Sequence, residues 1–246
     1  MKRLLAAGAE AIFQICKAFR QGEQGALHNI EFTICEWYRV GDSMHDSMQL
    51  LDELSQQMLD RGAAERLTYR EAFQQHTGVD PHQTDEQSLR NVIQQRCRDK
   101  VESLANYDRD ELLNLLLAEC VEPQLGVERP TILYDYPASQ AALAQIRDEE
   151  TPVAERFELY VDGVELANGY HELLDPDELR QRMARENDQR SKDGKCRLPE
   201  DSRLLAAMKH GLPECTGVAL GFDRLVMKRL GATNVDDVLT FPIDRT

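Results

Sequence analysis

A chain of 246 residues, 41% hydrophobic and 30% charged, is long enough to bury a core as one large domain. It carries no apolar run long enough to span a bilayer or to serve as a signal peptide, so no membrane association is expected. A formal net charge of −15 opposes the attraction on which RNA binding depends and disfavours a tRNA partner, while six scattered cysteines without Cys-x-x-Cys spacing predict reduced thiols in the cytoplasm.

Residues 1–10 predict a short helix closing at Gly8. Residues 11–19 and 32–40 read as two strands, and the Gly-bearing segment between them is short enough to fold them back antiparallel. Strand alternation puts Phe32, Ile34, Glu36 and Tyr38 on one face and Thr33, Cys35, Trp37 and Arg39 on the other. With Arg20 and His28 in the loop, the first face has a ring, a carboxylate and a phenol suited to a planar base, an ammonium and phosphates. The same pattern fits an ordinary solvent-facing sheet equally well. Met44, Met48, Leu51, Leu54 and Met58 recur at helical spacing over 43–61, with the helix expected to end at Gly62 and its stripe to join the core. Residues 63–130 show short helical patterns broken at Gly78, Pro81 and Pro123, and read as a helical insertion packed on a sheet.

Residues 131–136 form a buried-strand pattern ended by Pro137. Two further strands, 156–161 and 164–167, flank Asp162-Gly163, a two-residue hairpin signal. A turn closing on those two residues pairs Val161 with Val164, Tyr160 with Glu165 and Glu158 with Ala167. Glu158 and Glu165 then lie diagonally on one face, about 7 to 8 Å apart at the backbone, within reach of a shared cation such as Mg²⁺. The spacing alone also suits a solvent-facing pair with counterions. Asp175-Pro176-Asp177-Glu178 opens a polar helix running to about Arg190, residues 191–200 read as a loop, and a helix over 202–210 ends at Gly211. Finally, Gly217-Val218-Ala219-Leu220-Gly221-Phe222-Asp223-Arg224 is a Gly-rich strand entering an amphipathic helix, with Arg224 at the helix start available to phosphate.

Three strings carry a family resemblance. Phe19-Arg20, followed by His28-Asn29-x-Glu31-Phe32-Thr33-x-x-Glu36-Trp37-Tyr38-Arg39, resembles motif 2 of the class II aminoacyl-tRNA synthetases, lysyl branch. Arg156-Phe157-Glu158 with Glu165-Leu166-Ala167-Asn168-Gly169-Tyr170-x-Glu172 is similar to the region where lysyl enzymes bind Mg-ATP and the lysine side chain, and Gly217 to Arg224 resembles motif 3. Trp37, the Tyr136-Pro137-Ala138-x-Gln140-Ala141-x-Leu143 string, and Ala219 at a position usually Gly in lysyl-tRNA synthetases are similar to the synthetase paralogues that attach β-lysine to elongation factor P.

The resemblance spans residues 1–246 as one catalytic domain and implies an α+β fold, an antiparallel sheet flanked by helices with the site on the sheet face. It implies that Arg20, His28 and Arg224 are catalytic, and that Arg20, Gln21, Gly22, Glu23, His28, Asn29, Phe32, Glu158, Leu159, Gly221 and Arg224 bind ATP. By the same resemblance Glu36, Tyr38, Glu165, Asn168, Tyr170, Glu172 and Ala219 bind lysine or β-lysine, Glu172 receives the side-chain ammonium, and Glu158 and Glu165 hold Mg²⁺. The implied reaction is aminoacyl-adenylate formation and transfer to a lysine side chain of elongation factor P. Charging of tRNA or another carrier, or a non-catalytic binding role, are the alternatives, and retention of Arg20, His28, Glu158, Glu165 and Arg224 argues against the last. Two departures stand out. Family motif 2 carries its acid two residues after the arginine, where this chain has Gly22, followed by Glu23. The Met1–Gly8 segment is internal in the family, so an upstream portion with motif 1, which builds the family's homodimer interface, is expected to be missing. No anticodon-binding domain is visible in the sequence.

Overall fold

The computed structural model describes residues 1–97 and 104–245. Helix α1 (Lys2–Ala6) precedes β1 (Ala11–Phe19) and β2 (Glu31–Val40), which pair antiparallel from Ala11–Arg39 to Phe19–Glu31. Ser43 and Asp46 form a reciprocal capping box at the start of α2 (Met44–Leu59), satisfying first-turn amides that would otherwise lack partners. The helix ends at Asp60, which takes the left-handed conformation (φ 56°), two residues before the expected glycine. Asp tolerates that region because its short polar side chain relieves part of the steric penalty.

The segment read as purely helical also supplies a strand. Glu65–Thr68 forms β3, followed by α3 (Tyr69–Thr77), α4 (Glu86–Arg96) and α5 (Arg109–Leu116), the first and last with capping boxes. Strand β3 runs parallel to β4 (Thr131–Pro137), so the sheet is mixed rather than wholly antiparallel. Pro137 sits inside β4 as its last residue. Short β5 (Ile146–Arg147) lies beside β6 (Val153–Val161), which turns into β7 (Val164–His171). Asp162 and Gly163 both have positive φ, 47° and 71°, as the tight turn requires. Helices α6 (Pro176–Lys192) and α7 (Arg203–Gly211) follow, then β8 (Cys215–Gly221) and α8 (Phe222–Leu230). The sheet order is β1-β2-β8-β7-β6-β4-β3.

The two sheet faces have different fates. On one, Trp37, Phe157, Leu159, Val161, Val218 and Leu220 pack against Met44, Met48 and Leu51 of α2 and Leu225 of α8, so the first part of the stripe is core, Leu54 packs at its edge, and Met58, expected there too, is 46% exposed. The other face has two separate covers. Helices α3 to α5 bury Tyr136 and Tyr160 at the β4–β6 side, and α1, α6 and α7 bury Tyr38 and Cys215 at the β2–β8 side. Between these covers the middle of the face stays open.

An ion cluster joins β5, β6 and β7. His171 Nδ1 lies 2.5 Å from Glu155 Oε2, and Arg147 donates to Glu155 at 3.3 Å and to Asp135 at 2.7 Å. The hydrogen bond to Glu155 raises the His171 pKa above 6.5 despite partial burial, and the same bond holds Glu155 below 4.5. The histidine therefore contributes stability that is complete below pH 6.5 and disappears as pH rises through its raised value. Glu155 contributes above pH 4.5 and loses its share as pH falls through its depressed value. His171→Gln is thus expected to destabilise the protein more at pH 6 than at pH 9 in urea unfolding, and an equal loss at both would show that the pair is not an ion pair.

Candidate active site

The open strip on the sheet holds a cavity of about 200 Å³, lined by residues of both hairpins, β8 and α8. Phe32 forms part of its wall, with the Arg20 guanidinium 5.3 Å from the ring centroid. Glu23 pairs with Arg20 at 3.3 Å and also lines the cavity, so the loop delivers its acid from one residue later than the family spacing, helped by Gly22 at φ 81°. Gln21 and Gly22 are exposed and outside the wall.

Arg224 is held at three points. It donates to the Leu27 carbonyl at 3.1 Å and to the Glu165 carbonyl at 2.8 Å, and its third nitrogen lies 2.6 Å from His28 Nε2. Burial, then the Arg224 charge, lowers the His28 pKa, so the imidazole is neutral and Nε2 accepts from the guanidinium. Asp223 accepts from the Thr33 amide at 2.6 Å, tying α8 to β2 beneath the cavity. Asn29 donates to the Glu31 carbonyl at 2.6 Å and accepts from the Ile243 amide at 3.1 Å, which makes it a brace of the loop as well as a wall residue.

The hairpin β6–β7 departs from the expected register. Tyr160 pairs with Glu165 as anticipated, but Leu159 pairs with Ala167 and Glu158 with Asn168 rather than Ala167. A β-bulge at Leu166, which lines the cavity, adds one residue to β7. Glu158 and Glu165 stay on one face. Leu159 alternates to the opposite face and is fully buried under α2, so any contact it makes with a nucleotide is through backbone.

Glu158 is 4% exposed and fully engaged. Its Oε1 accepts from Arg156 at 2.5 Å and Asn168 at 2.9 Å, and its Oε2 from Tyr136 and Tyr160, both at 2.6 Å. Four donors use the whole acceptor capacity of a carboxylate. For Glu158 to share a cation with Glu165, as expected, a metal bond would have to displace one of these donors. Among the described residues no group of three or more His, Cys, Asp and Glu is arranged to hold a metal. Glu165 differs, with a 41% exposed side chain on the cavity wall. Burial, then the Glu158 charge, pushes its pKa up to about 7, against the opposing pull of Arg224.

Further along the same face, Tyr38 donates to Glu36 Oε1 at 2.7 Å and Gln14 donates to Glu36 Oε2 at 3.1 Å. Tyr38 pairs with Gly217, which pairs with Tyr170, and the Glu172 amide bonds the Cys215 carbonyl at 3.0 Å, so all these groups sit on adjacent rungs. A Cβ on Gly217 would stand 2.3 Å from both Glu172 Oε1 and Tyr38 Cε1, which shows how closely the acid and the phenol approach. Glu172 is 1% exposed, and α1 sets the Lys2 ammonium against its Oε2. Ala219, Asn168 and Tyr170 line the cavity between these acids and Arg20. Sequence reading missed Lys2, Gln14, Tyr136, Arg156 and Tyr160. The alternation Arg156-x-Glu158-x-Tyr160 was a signal for two of them, but Lys2 had none.

Phe32, Arg20 and Arg224 on the cavity wall suit a nucleotide with its phosphates, and the acids Glu36 and Glu172, farther along the same sheet face, suit an ammonium. Removing the Glu158 charge strands the half-buried Arg156 and leaves its own buried donors short of a full acceptor, so Glu158→Gln is expected to cost about 3–5 kcal/mol and to lower Tm by on the order of 10 °C. Glu165→Gln should leave Tm nearly unchanged, because that acid has a raised pKa and its ionisation works against folding as pH rises through about 7. Equal Tm losses in the two variants would refute this division.

The model of tRNA synthetases class II (D, K and N) matches residues 1–245. A Salmonella arizonae protein named elongation factor P–(R)-beta-lysine ligase is 49% identical over 247 residues, covering 100% of this chain and 75% of that protein. Proteins of the same name from Salmonella gallinarum and Salmonella dublin are each 49% identical over 245 residues, with the same coverage. With the family model matched over residues 1–245 and relatives matched along its whole length, this chain belongs to the class II tRNA synthetase family.

Proposed function

We propose that this chain uses ATP to activate lysine, preferably β-lysine, as its acyl-adenylate and transfers the acyl group to a lysine side chain of elongation factor P. The observation that carries the reading is the ordering of one sheet face: Arg20, His28, Arg224 and Ala219 line the cavity, and Glu36, Tyr38 and Glu172 lie beyond its wall on the same face, Glu36 paired in register with Ala219. The substrate carboxylate attacks the α-phosphorus, the bond to pyrophosphate breaks, and Arg20 balances the charge that develops. His28, neutral and bonded to Arg224, orients that guanidinium toward the triphosphate, and Phe32 stacks on the adenine. The acceptor amine then attacks the acyl carbon, an amide forms and AMP leaves. Glu165 is the acid whose exposure suits Mg²⁺, which supplies countercharge to the phosphates when bound. Gln21 and Gly22 act as loop backbone, and Gly221, on the cavity wall, leaves room for the nucleotide.

A net charge of −15 supports a protein acceptor over tRNA. No described helix is long and apolar enough to cross a membrane. Phe13 (74% exposed), Ile15 (53%) and Phe19 (68%) form an apolar stripe on edge strand β1, and this supports a homodimer that covers it. Sedimentation velocity tests the point, a monomer at micromolar concentration counting against it.

Mass spectrometry of elongation factor P from cells with and without this protein tests the acceptor. A β-lysyl mass increment should vanish with the gene, and an unaltered factor would refute the reading. Ala219→Gly is expected to shift pyrophosphate exchange toward α-lysine, because the methyl stands on the wall beside Asn168 and Glu36. An unchanged preference would show that this methyl does not set specificity.

A further inference from the structure

The cysteines lie scattered along the sequence, and the fold brings two of them together. The Sγ atoms of Cys97 and Cys120, 23 positions apart, stand 3.7 Å from each other. Cys97 closes α4, where its φ of −123° and ψ of 30° leave the helical range while its amide still bonds the Ile93 carbonyl at 2.7 Å. Cys120 belongs to a short π-helix (Leu117–Val121) that continues α5. Such turns interrupt the α-helical hydrogen-bond ladder and recur at functional positions. Both cysteines thus stand where the regular ladder is broken, and a small adjustment brings sulfurs already in van der Waals contact to bonding distance. Their exposure differs. Cys97 is buried at 5% exposure, whereas Cys120 is half-buried.

The segment that follows Cys120 braces the hairpin carrying Glu158 and Glu165. Val121 and Leu125 are buried in one cluster with Tyr136 and Tyr160, the two tyrosines that bond Glu158. Glu122 accepts from the Tyr160 hydroxyl at 3.1 Å. Both residues of the β6–β7 turn bond to the same segment, the Asp162 amide to the Gly126 carbonyl and the Gly163 amide to the Leu125 carbonyl, each at 2.8 Å. A covalent link from Cys120 to Cys97 would tie this brace to α4, whose Leu89 and Ile93 pack into the same cluster.

We infer that Cys97 and Cys120 are an oxidisable pair, a site at which hydrogen peroxide converts two thiols into a disulfide that staples α4 to the brace of the β6–β7 hairpin. Cys120, the less buried sulfur, attacks one peroxide oxygen as its thiolate; the O–O bond breaks, and a sulfenic acid and one water form. The Cys97 sulfur then attacks Cys120, the S–S bond forms, the S–O bond breaks and a second water leaves. Two thiol hydrogens and two electrons pass from the protein to the peroxide, which is reduced to water. The link restricts the unfolded chain more than the folded one, so it stabilises the fold.

Graded hydrogen peroxide on the folded chain, followed by alkylation of the remaining thiols and peptide mapping, reads the pairing, with the exposed Cys196 as an internal comparison. Cys97 and Cys120 should leave the free-thiol pool together and reappear as one intramolecular crosslink, lighter by two hydrogens and reversed by dithiothreitol, while Cys196 oxidises independently. The crosslink should raise Tm by about 5 °C and slow amide exchange over residues 117–126 at least about fivefold. Cys97→Ala and Cys120→Ala should each abolish the crosslink and both shifts, and in Cys97→Ala the Cys120 sulfenic acid should accumulate and be trapped by dimedone. Mapping of the parent decides the pairing without either variant, so a variant that folds poorly does not blunt it. Thiols that persist in excess peroxide, a disulfide joining either residue to another cysteine, or a Cys97–Cys120 disulfide that leaves Tm and exchange unchanged overturns the inference. None of these readouts needs ATP or lysine, so their failure leaves the proposed activity untouched.

Discussion

The arrangement of the molecule depends on the buried carboxylate of Glu158. It gathers donors from three neighbouring strands, Tyr136 of β4, Arg156 and Tyr160 of β6, and Asn168 of β7. An ionised carboxylate is tolerated at 4% exposure only where each lone pair meets a donor and an opposite charge lies close. Those requirements pin the strands in register on both sides of the hub, and the bulge at Leu166 absorbs the mismatch left between them. Glu165 is thereby set at the cavity wall, near enough to feel the charge of Glu158 but free of its hydrogen bonds.

The two helical covers on that face give the cavity its polarity. One seals the tyrosines around Glu158, the other seals Tyr38 and Glu172, and the unsealed strip between them is where ligands have access. Charged groups at the ends of the strip therefore meet opposite conditions. Arg20 is 57% exposed at the loop end, where a solvated cation can adapt to phosphate. Glu172 lies in the closed end, where only a matched cation is stable.

Arg224 links the chemistry to the scaffold. Its contacts to Leu27, His28 and Glu165 join the β1–β2 hairpin, the β6–β7 hairpin and α8, and Asp223 adds the bond to Thr33. Because the guanidinium is planar and always charged, fixing it at three points leaves one orientation toward the cavity. A lysine there would keep the charge and lose the orientation.

Local chemistry in the sequence was sufficient for most elements. The strands at 11–19 and 32–40, the Asp162-Gly163 turn and the buried Met44, Met48 and Leu51 follow from alternation, turn residues and helical spacing, which act over a few residues. The motif strings likewise placed Arg20, His28, Phe32 and Arg224 together, because each stands at a strand end or helix start that local rules define. Strand β3 was hidden, since four half-polar residues become a strand only by pairing with β4. The same holds for the bulge at Leu166 and for the four donors that make Glu158 a buried hub. Lys2 and Glu172 are separated by most of the chain, and nothing near either residue announces the other. Tertiary packing alone decided that pairing, because the energy of a buried charge depends on what the fold brings within contact and not on its neighbours in sequence.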